Sequence, residues 1–184
     1  ENKSAEVVKM VTSLSDFFRT TLSKGHDYIT VKEERTHIES YLEIQQFRYQ
    51  DILDYEIQMD EEIYGYIIPK LTLQPLVENA LYHGIKNKRG KGKILITGKK
   101  QGEKIIFQVI DNGKGMTEEE LNSLRKKMAG TDTGDEAKGF GVSNVNQRIK
   151  YYYGEEYGVF FESKENEGTN ATIIIAAKNI QLPS

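Results

Sequence analysis

The spacing of apolar residues changes near residue 50, and this change constrains the fold more than any other feature of the sequence. Before it, apolar side chains recur at helical intervals of three and four, at Val7, Val11, Leu14 and Phe18 and then at Ile38, Tyr41 and Leu42. After it, they alternate with polar residues as in a half-buried strand, at Leu53, Tyr55, Ile57 and Met59. We therefore predict two helices, over residues 4–23 and 31–49, followed by a sheet, with Thr30 capping the second helix.

The rest of the chain mixes strands with helices. Apolar runs predict strands at residues 94–96, 105–110, 159–163 and 169–177, and helical periodicity predicts helices at residues 71–85, 117–128 and 142–153. Residues 129–141 are rich in Gly, Thr, Asp and Lys, which predicts a mobile loop. This order predicts an α+β fold. We expect a two-layer α/β sandwich whose mixed sheet carries helices on one face, with a helical segment over residues 1–50 and a second domain over residues 51–180.

The composition narrows the range of functions. A net charge of −3 over 184 residues argues against a surface that binds nucleic acid, and no apolar run is long enough to cross a bilayer. The absence of cysteine excludes disulfides and thiolate zinc sites and fits a reducing compartment. The sequence starts at Glu1 without an initiator methionine, so we expect a piece of a longer protein whose membrane span would lie upstream.

Polar residues interrupt the apolar run of residues 71–85. They are Glu78, Asn79 and His83, of which Asn79 and His83 are four residues apart and share one helical face. Buried polar side chains need hydrogen-bond partners or a ligand. Two interpretations stay open: a ligand site, or a structural role in which Asn79 satisfies backbone groups and His83 caps the helix.

An acidic, glycine-rich turn follows the strand at residues 105–110. Asp111 precedes Gly113, Gly115 and Met116, and the two glycines permit positive φ and a close approach of the backbone. The carboxylate at the end of the strand suits an amino group, such as the exocyclic amine of adenine. An ordinary strand-to-helix turn is the alternative interpretation, since turns rich in Asp, Asn and Gly are common.

A second glycine-rich segment opens the helix at residues 142–153. It contains Gly139, Phe140, Gly141 and Val142, and backbone amides at the start of a helix suit phosphate. A loop rather than a strand precedes this segment, which argues against a Rossmann dinucleotide site. No Walker A sequence occurs in the chain.

Together these motifs resemble the Bergerat (GHKL) nucleotide-binding fold of histidine kinases, gyrase and Hsp90-type ATPases. The matching positions are Asn79 in the N box, Asp111, Gly113 and Gly115 in the G1 box, and Gly139 and Gly141 in the G2 box. Within that group, the string Leu-Gln-Pro-Leu-Val-Glu-Asn-Ala at residues 73–80 closely resembles the YesM/LytS-like two-component sensor histidine kinases. The similarity extends over residues 8–177.

The resemblance implies a role for each matching residue. Asn79 would coordinate a Mg²⁺ ion that bridges the phosphates of ATP, and Asp111 would accept a hydrogen bond from adenine N6, with Thr169 supporting it through water. Residues 116–138, starting at Met116, would form a lid over ATP, and the amides of residues 139–142 would meet the phosphates. Further neighbours of the phosphates would be His83, Lys86 and Lys88.

The chain departs from the family pattern in two places. The phosphoacceptor histidine, which the family carries in an Asn-Pro-His-Phe-like segment, is missing, and we expect His26 and His37 to be solvated. The chain should therefore bind ATP without phosphorylating itself. Pro75 stands where the ATPase branches have a water-activating glutamate, so hydrolysis should be slow. Glu78 is either a base toward the absent histidine or a surface or capping acid.

The leading hypothesis is the catalytic, ATP-binding part of a sensor histidine kinase. It would pass the γ-phosphoryl group of ATP to a histidine on an upstream helix and then to a response regulator. The first helix would be the second half of a dimerisation hairpin, so the full-length protein would be a homodimer and this piece would expose an apolar stripe. The parent would be a membrane-anchored sensor with this part in the cytoplasm. The alternatives are a degenerate nucleotide-binding or interaction module without phosphotransfer, and a self-contained GHKL ATPase, which Pro75 disfavours.

Overall fold

The computed structural model describes residues 2–22, 27–88, 90–130 and 140–178. The helices in these ranges are α1 (Asn2–Leu22), α2 (Val31–Arg48), α3 (Gln74–Asn79), α4 (Glu118–Met128) and α5 (Phe140–Tyr153). The strands are β1 (Tyr28–Thr30), β2 (Leu53–Met59), β3 (Ile67–Pro69), β4 (Gly92–Gln101), β5 (Lys104–Asp111), β6 (Gly158–Lys164) and β7 (Gly168–Ala176). No helix in the described ranges is long and apolar enough to cross a membrane.

The main sheet has five strands in the order β2-β4-β5-β7-β6. β2 runs parallel to β4, and the other three pairs are antiparallel. Alternate residues of β5 are buried, namely Ile105, Phe107, Val109 and Asp111, because they point toward the helices on one face of the sheet. The predicted α+β sandwich with a mixed sheet is confirmed. The short sheet of β1 and β3 was not predicted, because strands of three residues carry too little periodicity.

The second helix begins as its sequence predicts. The side chain of Thr30 accepts a hydrogen bond from the Glu33 amide, and the Glu33 carboxylate accepts one from the Thr30 amide. This reciprocal capping satisfies two donors that the helix cannot satisfy itself. On the same helix, Val31, Ile38 and Leu42 are fully buried and belong to one core cluster with the sheet residues.

The helix predicted over residues 71–85 is shorter and less regular than expected. Leu71 has φ 58°, and the buried carboxylate of Glu34 accepts hydrogen bonds from the Leu71 and Leu73 amides at 3.0 and 2.7 Å. The α-helix therefore begins only at Gln74, with Pro75 in its first turn. After Asn79 it continues as a π-helical turn over Ala80–Gly84, a type of distortion that is frequent at functional sites.

The first helix packs on α2 with a face that differs from the predicted stripe. Ser13, of which 3% is exposed, donates a hydrogen bond to the Glu43 carboxylate, and the Phe17 ring stacks on His37 with centroids 4.8 Å apart. The apolar stripe is exposed, as predicted, at Val7, Val11, Leu14 and Phe18.

His37 is buried, so the prediction that it is solvated is wrong. None of its surface is exposed, because α1 covers it from one side and α3 from the other. The polar residues around it in the sequence suggested a surface position, but two of them, Glu34 and Ser40, are buried on the same face of α2. His26 lies outside the described residues.

Candidate functional site

A cleft of about 230 Å³ lies between α3 with its π-helical turn, strands β5 and β7, and helix α4. Its apolar walls are Leu76, Ala80, Val109, Met116, Leu124, Phe161 and Ala171. Its polar residues include Asn79, His83, Asp111, Lys114, Glu120 and Thr169. The volume is below the range of about 300–1,000 Å³ typical of small-molecule sites, so the enclosed part suits one planar ring with the remaining groups outside it.

Asp111 is the buried acid of the cleft. Only 5% of its surface is exposed, and its Oδ1 accepts a hydrogen bond from the Gly113 amide at 2.8 Å. Burial raises the pKa of the Asp111 carboxyl to about 6, although the amides of Gly113 and Thr169 and the charge of Lys88 lower it. Each carboxylate oxygen has two lone pairs, so acceptor capacity remains for a further donor that enters the cleft.

Glycines allow the backbone to close around Asp111. A Cβ on Gly84 would lie 2.6 Å from Asp111 Oδ1, and a Cβ on Gly113 would lie 2.4 Å from the Gly84 backbone. Gly115 has φ 64°, and a Cβ there would lie 1.9 Å from the Lys164 carbonyl oxygen. The two G1 glycines thus each make a close approach to backbone, and Gly115 also has the positive φ that the sequence indicated.

Asn79 and His83 both line the cleft, as their spacing predicts. No side-chain hydrogen bond joins Asn79 to the residues that the structure describes, so its amide is available to a ligand. Glu78 is half-buried and is not among the residues that line the cleft. Its Oε1 instead accepts a hydrogen bond from Gln74 Nε2 at 2.9 Å.

Ser163 is a residue of the site region that the sequence did not reveal. Its hydroxyl accepts a hydrogen bond from the Met116 amide at 2.9 Å, donates one to the Gly168 carbonyl and lies 2.9 Å from the Thr169 hydroxyl. It therefore holds the start of the segment after the G1 glycines against the β6–β7 hairpin. Serine in a hairpin has no sequence signature for this role.

Sequence patterns could have identified some of the apolar residues that line the cleft. Leu76 and Ala80 precede Asn79 and His83 by three residues each, and Val109 precedes Asp111 by two in the same strand. Helical and strand periodicity places each beside its polar neighbour. Leu124 and Phe161 come from elements without a motif, and only the tertiary fold brings them to the cleft.

The predicted basic neighbours of the phosphates have other partners in the structure. The Lys86 ammonium lies 5.1 Å from the Tyr49 ring centre and 4.8 Å from that of Tyr82, and Lys88 Nζ donates a hydrogen bond to the Asn112 carbonyl at 2.7 Å. Neither lysine lines the cleft as the structure describes it.

The structure describes the predicted phosphate loop only from Phe140 onward, in the first turn of α5. Gly139 lies outside the described residues. A Cβ on Gly141 would lie 3.2 Å from the Pro75 side chain, and Val142 is buried in the core. These two residues fix the start of α5 beside α3.

The sequence matches two family profiles. That of the histidine kinase-, DNA gyrase B- and HSP90-like ATPases matches residues 69–179. That of a family described as histidine kinase matches residues 1–53.

The chain is also similar to individual proteins. It is 34% identical to the sensor histidine kinase YesM of Bacillus subtilis over 97% of its own length and 29% of that protein. It is 29% identical to the sensor protein LytS of Staphylococcus saprophyticus over 97% of its own length and 30% of that protein. The chain thus spans less than a third of these two relatives. The catalytic domain of histidine kinase ThkA shares its fold with a TM-score of 0.61 at 19% identity, over 84% of this chain and 97% of that domain.

The close approach at Gly115 leads to a stability prediction with a matched control. Gly115→Ala and Gly102→Ala both place a side chain at positive φ, 64° and 57°, which costs about 1–2 kcal/mol. Only Gly115→Ala also meets a backbone atom, the Lys164 carbonyl oxygen, and overpacking adds about 1–3 kcal/mol. We expect the larger loss of unfolding free energy for Gly115→Ala in urea denaturation. Equal losses would contradict the close approach.

Proposed function

Because this chain belongs to the family of histidine kinase-, DNA gyrase B- and HSP90-like ATPases, we propose that it is the ATP-binding catalytic part of a sensor histidine kinase in a two-component system. It passes the γ-phosphoryl group of ATP to a histidine upstream of these residues, and a response regulator receives the group from there. The observation that carries the proposal is the buried carboxylate of Asp111 at the base of an apolar cleft. The relatives named as sensor kinases support the same function.

Adenine fits the enclosed part of the cleft. Its ring is planar and apolar on both faces, which suits walls such as Ala80, Val109 and Phe161. Its exocyclic amine donates to the oxygen of Asp111 that Gly113 leaves free. A charged acceptor in a cavity of low polarity gives a strong hydrogen bond, so this contact selects a ring with an amino group.

Asn79 is suited to hold Mg²⁺ together with the nucleotide. An amide oxygen is a hard ligand of the type that Mg²⁺ takes, and the Asn79 side chain has no protein partner in the described ranges. Those ranges contain no group of three or more His, Cys, Asp or Glu that could hold a metal ion. Nucleotide phosphates therefore supply the other ligands, as Mg²⁺ sites in kinases use substrate oxygens. The ion neutralises charge on the phosphates.

Glu78 is the proposed base toward the incoming histidine. The Glu78 carboxylate adjoins Asn79 in the chain but lies outside the described lining of the cleft, so a histidine can approach it without entering the adenine site. Phosphoryl transfer needs positioning and charge neutralisation more than covalent chemistry, and a base that orients the acceptor completes the set. With Pro75 at the position of the water-activating glutamate, hydrolysis is slow.

The helical segment indicates how this catalytic part is arranged in the full-length protein. The exposed stripe of α1 supports a homodimer in the full-length protein, in which α1 pairs with the upstream helix that carries the phosphoacceptor. We place the domain on the cytoplasmic side of a membrane-anchored sensor, since ATP is an intracellular substrate. No nucleic-acid partner is proposed for a chain of net charge −3.

Nucleotide binding tests the site directly. By isothermal titration with a non-hydrolysable ATP analogue, Asp111→Asn should weaken binding about 10-fold to 100-fold, because losing a hydrogen bond to a charged group costs about 1.5–3 kcal/mol. Asp60→Asn is the matched control, since Asp60 is exposed and makes no side-chain cap. Asn79→Ala should remove the dependence of affinity on Mg²⁺ and keep the Mg²⁺-free affinity. Equal affinity for Asp111→Asn and wild type would contradict the site.

The pKa of Asp111 predicts how binding depends on pH. The carboxylate is the better acceptor for the adenine amine, and with a pKa of about 6 it is lost as the pH falls through 6. We expect affinity to be constant above pH 7 and to fall by up to about tenfold for each pH unit below 6. Adenosine is the ligand to use, since phosphate groups titrate near pH 6 themselves. A similar pH dependence for Asp111→Asn would assign the effect to another group.

Phosphoryl transfer tests the reaction. A separate segment that bears the upstream histidine, mixed with this chain and labelled ATP, should become labelled, and Glu78→Gln should slow labelling about 100-fold or more without changing nucleotide affinity. Failure to label the histidine segment in a complex that binds ATP normally would contradict the kinase assignment and leave a nucleotide-binding module.

A further inference from the structure

A chain of three polar side chains connects α2 to the carboxylate of Glu78. His37 Nε2 lies 2.5 Å from Gln74 Oε1, and Gln74 Nε2 donates a hydrogen bond to Glu78 Oε1 at 2.9 Å. We propose that His37 and Gln74 are positioning residues that set the orientation of the Glu78 carboxylate for the transfer step. This inference rests on the proposed role of Glu78 as the base.

The direction of donation along these hydrogen bonds follows from the chemistry of the side chains. A proton on Nδ1 of His37 would be a buried donor without an acceptor among the described residues, so the proton lies on Nε2, which donates it to Gln74 Oε1. The other ring nitrogen, Nδ1, is buried and has no hydrogen-bond partner among the described residues, which fits an unprotonated nitrogen. Burial also lowers the pKa of His37, which keeps the ring neutral.

His37 therefore fixes which way the amide of Gln74 points. If the amide flipped, its NH₂ group would face the His37 N–H and its oxygen would face the Glu78 carboxylate. Both contacts would be repulsive, so only one orientation is stable. In that orientation the amide always offers a donor to Glu78. A carboxylate held by one fixed donor keeps its second oxygen free for an incoming proton.

The backbone of the same helix is fixed from α2 as well. Glu34 lies three residues before His37, is fully buried, and accepts hydrogen bonds from the Leu71 and Leu73 amides. The start of α3 thus cannot move relative to α2 without breaking bonds to a buried carboxylate. His37 therefore acts on the side chain of Gln74, and Glu34 already holds the backbone of that segment in place.

A purely structural role for His37 would not require a polar group. An apolar side chain there would pack against Phe17 and Gln74 without the cost of burying an imidazole. The pair of Gln74 and Glu78 alone is a helical i,i+4 contact worth about 0.2–0.5 kcal/mol. A series of hydrogen bonds that starts at a buried donor and ends at a half-buried carboxylate therefore points to control of the orientation of that carboxylate.

The contact of Phe17 with His37 brings α1 into the same arrangement. The Phe17 ring stacks on the imidazole at 4.8 Å with an angle of 19° between the planes. Since α1 packs against α2 and covers His37, a displacement of α1 alters the surroundings of the first donor in the chain. The helix nearest the proposed phosphoacceptor thus contacts the residue that orients the base.

The test measures autophosphorylation of the full-length protein at saturating and limiting ATP. We expect Gln74→Leu and His37→Leu to lower kcat about 10-fold to 100-fold, since a misplaced catalytic group costs up to about 100-fold, and to leave KM for ATP within about twofold. His37→Gln should restore most of kcat, because a glutamine amide donates from nearly the same place as Nε2.

Two further variants separate this inference from the proposed function. Ser40→Ala removes a buried hydroxyl from α2, three residues after His37, and should leave kcat unchanged. Glu78→Gln must itself lower kcat. If it does and the Gln74 and His37 variants keep the wild-type kcat, the positioning role is wrong and the base remains. If Glu78→Gln keeps full activity, the base assignment fails, and this inference fails with it.

Discussion

The burial of the Asp111 carboxylate is the constraint on which the rest of the cleft depends. Taking a carboxylate out of water is unfavourable unless its oxygens meet donors, and here the nearest donors are backbone amides rather than side chains. Gly84 and Gly113 flank the carboxylate, and a Cβ on either residue would come within 2.6 Å of Oδ1, so both positions require glycine. The same requirement brings the π-helical turn, the end of β5 and the start of β7 together. The cleft is the space that remains above this contact.

A second buried carboxylate joins the helical segment to the sheet, and its oxygens meet their hydrogen-bond donors in a different way. Glu34 accepts two backbone hydrogen bonds with its two oxygens, and burial raises its pKa to about 7 while those amides and Arg148 lower it. Its hydrogen bonds hold the turn before α3, whereas the Asp111 carboxylate lines the cleft. Under the proposed function, buried carboxylates of the same chain serve attachment in one place and recognition in another.

Local sequence patterns predicted the fold well where one element carries its own periodicity. Helices α4 and α5 and the β6–β7 hairpin appear within two residues of their predicted ends. The start of α3 was missed because Glu34, 37 residues away from Leu71, determines it, and no local pattern reports a contact of that range. His37 was predicted to be solvated for the same reason. Its burial depends on α1 and α3 together.

The candidate site was predictable to the extent that glycine and polar residues mark it. Some residues stand out because an apolar helix or strand does not need them, namely Asp111, Gly113, Gly115 and Asn79. The structure brings Asp111 and Asn79 to one cleft. Ser163 escaped prediction because a serine in a hairpin is unremarkable until its partners are known. Lys86 was expected near the phosphates from the family resemblance, but its ammonium lies over two aromatic rings.

The order of Glu78 and Asn79 in α3 explains how one helix can serve two reactants. Consecutive residues of an α-helix point about 100° apart, since a turn has 3.6 residues. Asn79 therefore lines the cleft while Glu78 lies beside Gln74, on the face that α2 supports. Under the proposed function, the nucleotide and the histidine approach neighbouring faces of one rigid element. Their separation is then set by the helix rather than by a flexible loop, which is what an in-line transfer between two separately bound groups requires.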